Sequence, residues 1–241
     1  MNDAFVRGVR IGDVEDSAYP FSIPAVKAIE SLDLSAPVTF LVGENGSGKS
    51  TLTESIAVAA GFNAEGGTKN YSFTTQDTTS SLIDKITLVR GSKREKYGFF
   101  LRAESFYTTA NYAESGTYGP GGPSPLYFDG KRIHEQSHGE AFLSIVKDFR
   151  PGFFIFDEPE SALSPQRQLA LLVAIRELVK KGSQFIIATH SPILLSYPES
   201  SIYELSKDGI NKVQYEDIEH VKLTKEFLND PSQYLRRLFN D

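Results

Sequence analysis

The part of the sequence that most clearly indicates chemistry is a glycine-rich segment in the first quarter of the chain. It fits the pattern G-x-x-x-x-G-K-[ST], in which the fixed positions are two glycines, a lysine and a serine. Glycines allow backbone angles that a side chain would forbid, so successive N–H groups can turn towards phosphate oxygens. The segment predicts a phosphate-binding loop with these members: Gly43, Glu44, Asn45, Gly46, Ser47, Gly48, Lys49, Ser50 and Thr51.

The sequence around this loop provides the context that such a site needs. An apolar run predicts a buried strand over residues 38–42, and a helix is predicted over residues 49–60. The helix N-terminus adds free N–H donors and the positive end of its dipole. Lys49 would reach the β- and γ-phosphates, and the Ser50 hydroxyl would hold Mg²⁺. The sequence therefore predicts a site for a nucleoside triphosphate and Mg²⁺.

Two later predicted strands end in polar residues that suit phosphate hydrolysis. The apolar run 153–156 predicts a central strand, and Asp157 and Glu158 follow it directly. Because ligands of such sheets bind at the carboxyl ends of the strands, Asp157 is predicted to bind Mg²⁺ through water. Glu158 is predicted to orient and polarise the attacking water. His190 follows the next strand and is predicted to donate a hydrogen bond to the terminal phosphate or to the water.

A further polar segment opens the helix that leads into the acidic strand. Ser137 and Gly139 lie at the predicted helix N-terminus, where they would form an anion-binding cap. Glu140 lies three residues after Ser137, so the same residues also fit an ordinary capping box. The two interpretations are compatible with each other.

Length and composition favour a globular protein with no special covalent chemistry. The chain has 241 residues, no cysteine and a formal net charge of −6. The lack of cysteine excludes disulfides and thiolate metal ligands. Neither a signal-peptide pattern nor an apolar run of membrane-spanning length is present, which predicts a cytoplasmic protein without membrane insertion. The net charge lacks the basic footprint of a dedicated nucleic-acid binder. Local candidates for nucleic-acid contact are Lys93, Arg94, Lys96, Arg236 and Arg237.

Strands that alternate with helices predict an α/β fold, here as a single domain over residues 1–241. Beyond the strands above, we expect an edge strand at 5–11, a hairpin of 86–90 with 97–102, a buried strand at 185–188, and a hairpin of 202–205 with 213–215. Further helices are expected at 104–114, 139–149, 165–180 and 217–239, the last broken near Pro231, with a loop at 115–125.

Together these motifs resemble those of the ATP-binding-cassette (ABC) ATPases. Residues 43–50 match their phosphate loop, 137–140 their signature loop, 153–158 their Walker B strand and 160–164 their D-loop, while His190 matches their switch histidine. The signature reads Ser-His-Gly-Glu and not the LSGGQ of transporters. The chain is therefore more similar to the RecF, SMC and OLD-like ATPases, and above all to the small stand-alone bacterial ATPases. Only 87 residues separate Lys49 from Ser137, without sustained heptads, so no coiled-coil arm is predicted.

The resemblance implies a P-loop NTPase fold of the ABC-ATPase head type. Such a head has a mostly parallel central sheet flanked by helices, an antiparallel β subdomain and a helical subdomain, here at about residues 104–150. The family also implies ATP and Mg²⁺ as ligands and a head-to-tail homodimer. Each ATP would lie between one chain's phosphate loop and the partner's Ser137 and Gly139. Water would attack the γ-phosphate in line, with Glu158 as base and with Lys49 and Mg²⁺ absorbing charge.

Two positions that the family usually fills stay open. The Q-loop glutamine is matched by position at residues 102–104, which read Arg-Ala-Glu, and by residue type at Gln76. In many ATPases an aromatic residue upstream of the loop stacks on adenine. Tyr19 and Phe21 are the candidates, and ordinary packing is the alternative for both.

The sequence is compatible with three alternative functions for the ATPase cycle. The favoured one is an ATPase that drives or switches an unknown effector protein in nucleic-acid maintenance or bacterial defence. The second is the nucleotide-binding subunit of a transporter, which the histidine in the signature disfavours. The third is a scaffold with negligible turnover, which the intact Glu158 and His190 disfavour.

Overall fold

The computed structural model describes residues 4–12, 19–69, 81–102, 127–128, 131–132 and 138–239. The predicted helix 104–114, the loop 115–125, Gln76 and Ser137 lie outside these residues. Within the described ranges, no helix combines the length and the apolar character that a membrane span requires.

A six-stranded sheet forms the centre of the fold. Its strands are β3 (Val38–Gly43), β5 (Gly98–Arg102), β8 (Phe153–Asp157), β9 (Gln184–Ala188), β10 (Ser201–Ser206) and β11 (Gly209–Val213). They lie in the order β11-β10-β3-β9-β8-β5, and every neighbouring pair is parallel except β10 with β11. The mostly parallel sheet that the sequence predicted is confirmed.

Both faces of this sheet are covered, which explains why its central strands are apolar throughout. Phe154 and Phe156 of β8 point to one side, against helices from the second half of the chain. Phe154 stacks on Phe149 there, and the rings of Phe154 and Phe156 are tilted against each other. Phe153 and Ile155 point to the other side, against the helix that follows the phosphate loop and a second sheet. The alternation places two separate cores on the two faces of one sheet.

A second, antiparallel sheet consists of β1 (Val6–Ile11), β2 (Ser31–Asp33) and β4 (Ile86–Arg90). The prediction of an edge strand at residues 5–11 is wrong, because β1 is the middle strand of this sheet. The predicted hairpin of 86–90 with 97–102 is also wrong. β4 pairs with β1, whereas β5 pairs with β8, so residues 91–97 cross between two sheets and do not form a hairpin turn.

The helices of the described chain are α1 (Pro24–Lys27), α2 (Lys49–Ala59), α3 (His138–Lys147), α4 (Pro165–Lys180), α5 (Pro192–Leu195), α6 (Glu219–Asn229) and α7 (Pro231–Phe239). Short 3-10 turns occupy Ser81–Asp84, Pro159–Ala162 and Tyr215–Asp217, and a two-stranded ribbon joins β6 (Tyr127–Phe128) to β7 (Lys131–Arg132). The break of the C-terminal helix near Pro231 is confirmed. The late hairpin is tighter than predicted, since its second strand begins at Gly209 and the residues after Val213 lead into a 3-10 turn.

Candidate nucleotide site

The phosphate loop joins β3 to α2, and two of its glycines are required by close contacts. Gly43 has φ of 148°, and a Cβ there would come within 2.2 Å of the carbonyl oxygen of Leu205. Gly48 has φ of 97°, and a Cβ there would press on the Ile23 side chain at 3.0 Å. Only glycine fits these positions without strain. The two glycines thereby allow the tight backbone turn, or cradle, between β3 and α2.

Lys49 folds back into this cradle. Its side chain is buried, and Nζ donates hydrogen bonds to the carbonyl oxygens of Gly43 at 2.9 Å and Glu44 at 3.1 Å. Burial lowers the pKa of Lys49, while the nearby carboxylates of Glu158 and Asp157 partly oppose the shift. Ser47 Oγ is buried in the same loop and has no hydrogen-bond partner among the described residues. The Lys49 ammonium group thus lines the cavity in which phosphate oxygens would accept from it.

Ser50 meets Asp157 at the start of α2. Ser50 Oγ donates to Asp157 Oδ1 at 3.2 Å, although 107 residues separate them in the chain. Because β9 lies between β3 and β8, this contact bridges two strand spacings, about 10 Å of sheet. Asp157 is only 6% exposed. A serine hydroxyl beside a buried carboxylate is a set of hard oxygen donors, which fits Mg²⁺.

Glu158 lies on the turn that follows β8, in an unusual backbone conformation. Its φ of 51° and ψ of 51° are left-handed, which is rare for a residue with a side chain. Its N–H donates to the Ala188 carbonyl oxygen at 2.9 Å, and its own carbonyl oxygen accepts from Ser161 Oγ at 2.9 Å. These contacts hold the half-exposed carboxylate over the cradle. The carboxylate reaches 3.6 Å from His190 Nε2.

His190 follows the end of β9, between the phosphate loop and the acidic pair. Burial lowers its pKa, the positive charge of Lys49 lowers it further, and Glu158 partly opposes the shift. The imidazole is therefore neutral near pH 7 and can act as a hydrogen-bond donor through one nitrogen. The ring of His220, on α6, lies 6.3 Å from that of His190. Sequence reasoning missed His220, because nothing in its local pattern connects α6 with the site.

A cavity of about 170 Å³ lies over the cradle and distinguishes the two aromatic candidates. Tyr19 lines this cavity, is 68% exposed, and its hydroxyl lies 2.8 Å from Thr51 Oγ1. Phe21 is 5% exposed and packs in a small core with Val26 and Leu82. The structure thus brings Tyr19 to the site and assigns Phe21 to packing.

The predicted signature segment is described only from its second residue. Gly139 is buried, and a Cβ there would come within 2.9 Å of the Ala162 carbonyl oxygen and 2.7 Å of Arg167. Glu140 forms an ion pair with the same Arg167 at 3.1 Å. The start of α3 is therefore packed on the turn after the acidic pair of its own chain. Ser137 lies outside the described residues.

Of the residues 102–104 that match the open Q-loop by position, the structure describes Arg102, which forms an ion pair. Arg102 ends β5 in register with Asp157, and Arg102 donates to Glu54 Oε2 on α2 at 2.9 Å. The other candidate, Gln76, lies outside the described residues. Arg102 connects the end of the edge strand to the helix that carries Lys49 and Ser50.

This fold and site define the chain as a P-loop nucleoside-triphosphatase domain. A family model described as "AAA domain" matches residues 24–137, which include the phosphate loop. A second, described as "AAA domain, putative AbiEii toxin, Type IV TA system", matches residues 141–196, which include the acidic pair and His190. These matches confirm the predicted resemblance to ABC-type ATPases of the RecF/SMC-like branch. Over the residues matched, the chain is similar to these two families.

Individual relatives are distant. The "L-cystine transport system ATP-binding protein TcyN" of Escherichia coli (strain K12) is 27% identical over 175 residues, which is 64% of this chain and 69% of that protein. The SMC head domain from Thermotoga maritima aligns with a TM-score of 0.48 and 15% identity, covering 87% of this chain and 98% of that one. The cbiO1 protein from Clostridium perfringens aligns with a TM-score of 0.49 and 15% identity, covering 99% and 100%.

Proposed function

We propose that this chain binds ATP with Mg²⁺ and hydrolyses its terminal phosphoanhydride bond. The observation that carries the proposal is the contact between Ser50 and Asp157 at 3.2 Å beneath Glu158 and His190. Four residues from three separate segments meet at one edge of the sheet, above the glycine cradle. This arrangement provides a phosphate-binding loop, oxygen donors for a cation, a base and a hydrogen-bond donor.

Each residue has a defined part in the proposed reaction. Lys49 leaves the loop carbonyls to bind the β- and γ-phosphates. Ser50 and Asp157 would hold Mg²⁺, which would neutralise charge on the phosphates. Glu158 accepts a proton from the water that attacks the γ-phosphorus, while the bond to the β-phosphate oxygen breaks and ADP leaves. Neutral His190 donates a hydrogen bond to the γ-phosphate. His190 Nε2 lies 3.6 Å from Glu158 Oε1, slightly beyond hydrogen-bond distance, and such catalytic contacts tighten when substrate binds.

The cavity supports Tyr19 as the residue that stacks on adenine. Replacing Tyr19 with alanine is expected to weaken ATP binding by about 5- to 150-fold, because base–aromatic stacking contributes about 1–3 kcal/mol. Tyr19→Phe keeps the ring, loses only the contact with Thr51, and should bind ATP nearly as well as the parent. Competition titrations with ATP and with inorganic tripolyphosphate measure the effect. An equal loss for both ligands in Tyr19→Ala would show that Tyr19 shapes the loop and does not contact the base.

We further propose that two chains share each ATP, with the partner's Ser137 and Gly139 completing the site. The family resemblance supports this arrangement. The experiment mixes a Lys49→Ala chain with a Ser137→Arg chain, each expected to be inactive alone. A mixed dimer has one doubly damaged site and one intact site. Random pairing gives about half mixed dimers, so up to about a quarter of the parent's activity should return.

Coupling between the two sites would reduce the recovered activity further. The assay is ATP turnover against mixing ratio, with light scattering to show that mixed dimers form. If mixed dimers form and Ser137→Arg on both chains leaves turnover at the parent rate, the shared site is wrong. Parent chain, Lys49→Ala alone and Ser137→Arg alone are the controls in the same preparation.

We propose that the cycle drives or switches an effector protein in bacterial defence or nucleic-acid maintenance. The description of one matching family names a toxin of a Type IV TA system, which supports a role in bacterial defence. The transporter alternative is supported by the curated relative from L-cystine transport. Purification of the tagged chain from its native cell distinguishes the two, since a membrane permease among the co-eluting proteins would favour the transporter.

A further inference from the structure

We propose that the Glu160 carboxylate is a positioning residue that holds His190 in place for the reaction. The inference rests on the proposed function for its catalytic consequence, but the contact itself is independent of that function. Glu160 Oε1 accepts a hydrogen bond from the backbone N–H of His190 at 2.6 Å, across 30 residues of chain. Glu160 lies in the 3-10 turn that follows Glu158, so one short segment carries both the base and this contact.

The hydrogen bond between the His190 N–H and Glu160 lies just beyond the C-terminal end of β9. The preceding N–H, that of Thr189, donates to the carbonyl oxygen of Leu41 at 3.1 Å on β3. His190 lies beyond the last strand pair, so its N–H has no partner in the sheet and bonds to Glu160 instead. Leu41 thus holds the peptide group between Ala188 and Thr189, and Glu160 holds the next one, between Thr189 and His190. Because that peptide sets the direction of the His190 side chain, Glu160 controls where the imidazole lies relative to Glu158.

The residue after His190 has an anchor of its own. Ser191 Oγ donates to Gln168 Oε1 and accepts from the N–H groups of Ile193 and Leu194. The Ser191 Oγ contacts fix the start of α5, and the Ser191 N–H donates to Thr189 Oγ1 at 3.0 Å, so Glu160 is the partner of the His190 N–H itself. Burial raises the pKa of Glu160, and the hydrogen bond from the His190 N–H opposes that shift, so the contact favours the ionised carboxylate.

The contact is tested first without any activity measurement. Backbone amide exchange at His190, measured by NMR, should become markedly faster in Glu160→Ala and stay protected in Glu160→Gln, which keeps an acceptor oxygen. Glu160→Asp keeps the negative charge, but its side chain is one methylene group shorter. The carboxylate then no longer reaches the His190 N–H, so this amide should also lose its protection from exchange. Glu160→Asp serves as the second variant if Glu160→Ala does not fold. Unchanged protection in both shortened variants would overturn the proposal.

The positioning role is then tested by steady-state kinetics. Glu160→Ala should lower kcat by about 10- to 100-fold, since misplacement of a reacting group by about 1 Å can cost 10²-fold. KM should change by less than about 3-fold, because the groups that bind ground-state substrate remain. Glu160→Gln should keep kcat within about 3-fold of the parent. A fall in kcat for Glu160→Gln as large as that for Glu160→Ala would contradict a role through the hydrogen bond.

A double-mutant cycle shows whether Glu160 acts through the imidazole. In a His190→Ala background, Glu160→Ala should cause no further loss of kcat, because the side chain to be positioned is gone. An equal loss in both backgrounds would overturn the proposal. Glu95→Ala is the matched control, since its carboxylate is 3% exposed, pairs with Arg90 at 3.2 Å and lies away from the site. It should lower the melting temperature without lowering kcat per folded molecule.

The two hypotheses fail differently. If the parent chain shows no hydrolysis that depends on Lys49 and Glu158, the proposed function is wrong, and amide exchange still decides whether Glu160 holds His190. If the parent hydrolyses ATP and His190→Ala is impaired while Glu160→Ala is not, the positioning role alone is wrong.

Discussion

Replacing Lys49 with alanine is expected to weaken ATP binding by about 10²- to 10⁴-fold. The variant loses two charge-assisted contacts to phosphate, each contributing about 1.5–3 kcal/mol, and every 1.4 kcal/mol corresponds to about tenfold in Kd. The backbone cradle formed around Gly43 and Gly48 stays in place, but its neutral N–H groups cannot offset the charge of a triphosphate alone. Isothermal titration with ATP and Mg²⁺ measures the change.

Lys180→Ala is the matched control for this experiment. It removes the same unit of positive charge from the exposed end of α4, where Lys180 pairs with Glu177 at 2.7 Å. We expect parent-like ATP affinity in this variant, because exposed pairs of this kind contribute little. Near-parent affinity in Lys49→Ala itself, with Lys180→Ala also unchanged, would show that the cradle is not a triphosphate site.

Glu158→Gln is expected to keep ATP binding and to lower the rate of hydrolysis by about 10²- to 10⁴-fold, the usual contribution of one well-placed base. The amide has almost the same shape as the carboxylate but cannot accept the proton of the attacking water. Loss of kcat with little change in ATP affinity is the signature of an interaction made in the transition state. Single-turnover hydrolysis with pre-bound ATP separates the chemical step from binding and release.

Glu177→Gln provides the control, since it makes the same chemical change on the exposed surface of α4. Its hydrolysis rate should match that of the parent. If Glu158→Gln also hydrolyses ATP at the parent rate, the base is a different group and the proposed assignment is wrong. Normal hydrolysis in Glu158→Gln, together with lost ATP binding in Lys49→Ala, would indicate a site that binds ATP at the loop but does not use Glu158 as its base.

The nucleotide loop and the neighbouring strand ends could be predicted from sequence because their signals are local. A strand, a glycine-rich turn and a helix follow each other within residues 38–60, and the pattern itself carries the chemistry. The acidic pair is equally local, since it follows directly on an apolar strand. Parallel strands also align their carboxyl ends, so the meeting of Ser50 with Asp157 followed from the fold class.

Pairings between distant strands could not be predicted in the same way. The strands 86–90 and 97–102 are separated by a short polar turn, which favours a hairpin on local grounds. In the structure the first of these strands (β4) pairs with β1, and the second (β5) pairs with β8. Hydrophobic pattern reports which face of a strand is buried, but it does not report which strand lies beside it.

The contact between Glu160 and the His190 backbone could not be predicted from the sequence either. The sequence placed Glu160 only in the D-loop, and its carboxylate meets the His190 amide because the turn after β8 folds back over the end of β9. A second glutamate two positions after a predicted base is a signal that could have raised the question. Its partner, a backbone N–H, carries no residue type, and no pattern in the side chains could have identified it.

The left-handed backbone of Glu158 has a consequence for anyone who engineers this domain. Glycine adopts such angles readily, whereas other residues pay about 1–3 kcal/mol for them. Selection for heat resistance alone would therefore reward Glu158→Gly, which relaxes the turn and removes the proposed base in a single step. A stabilised version of the domain that keeps its chemistry must leave this position fixed and gain its stability elsewhere.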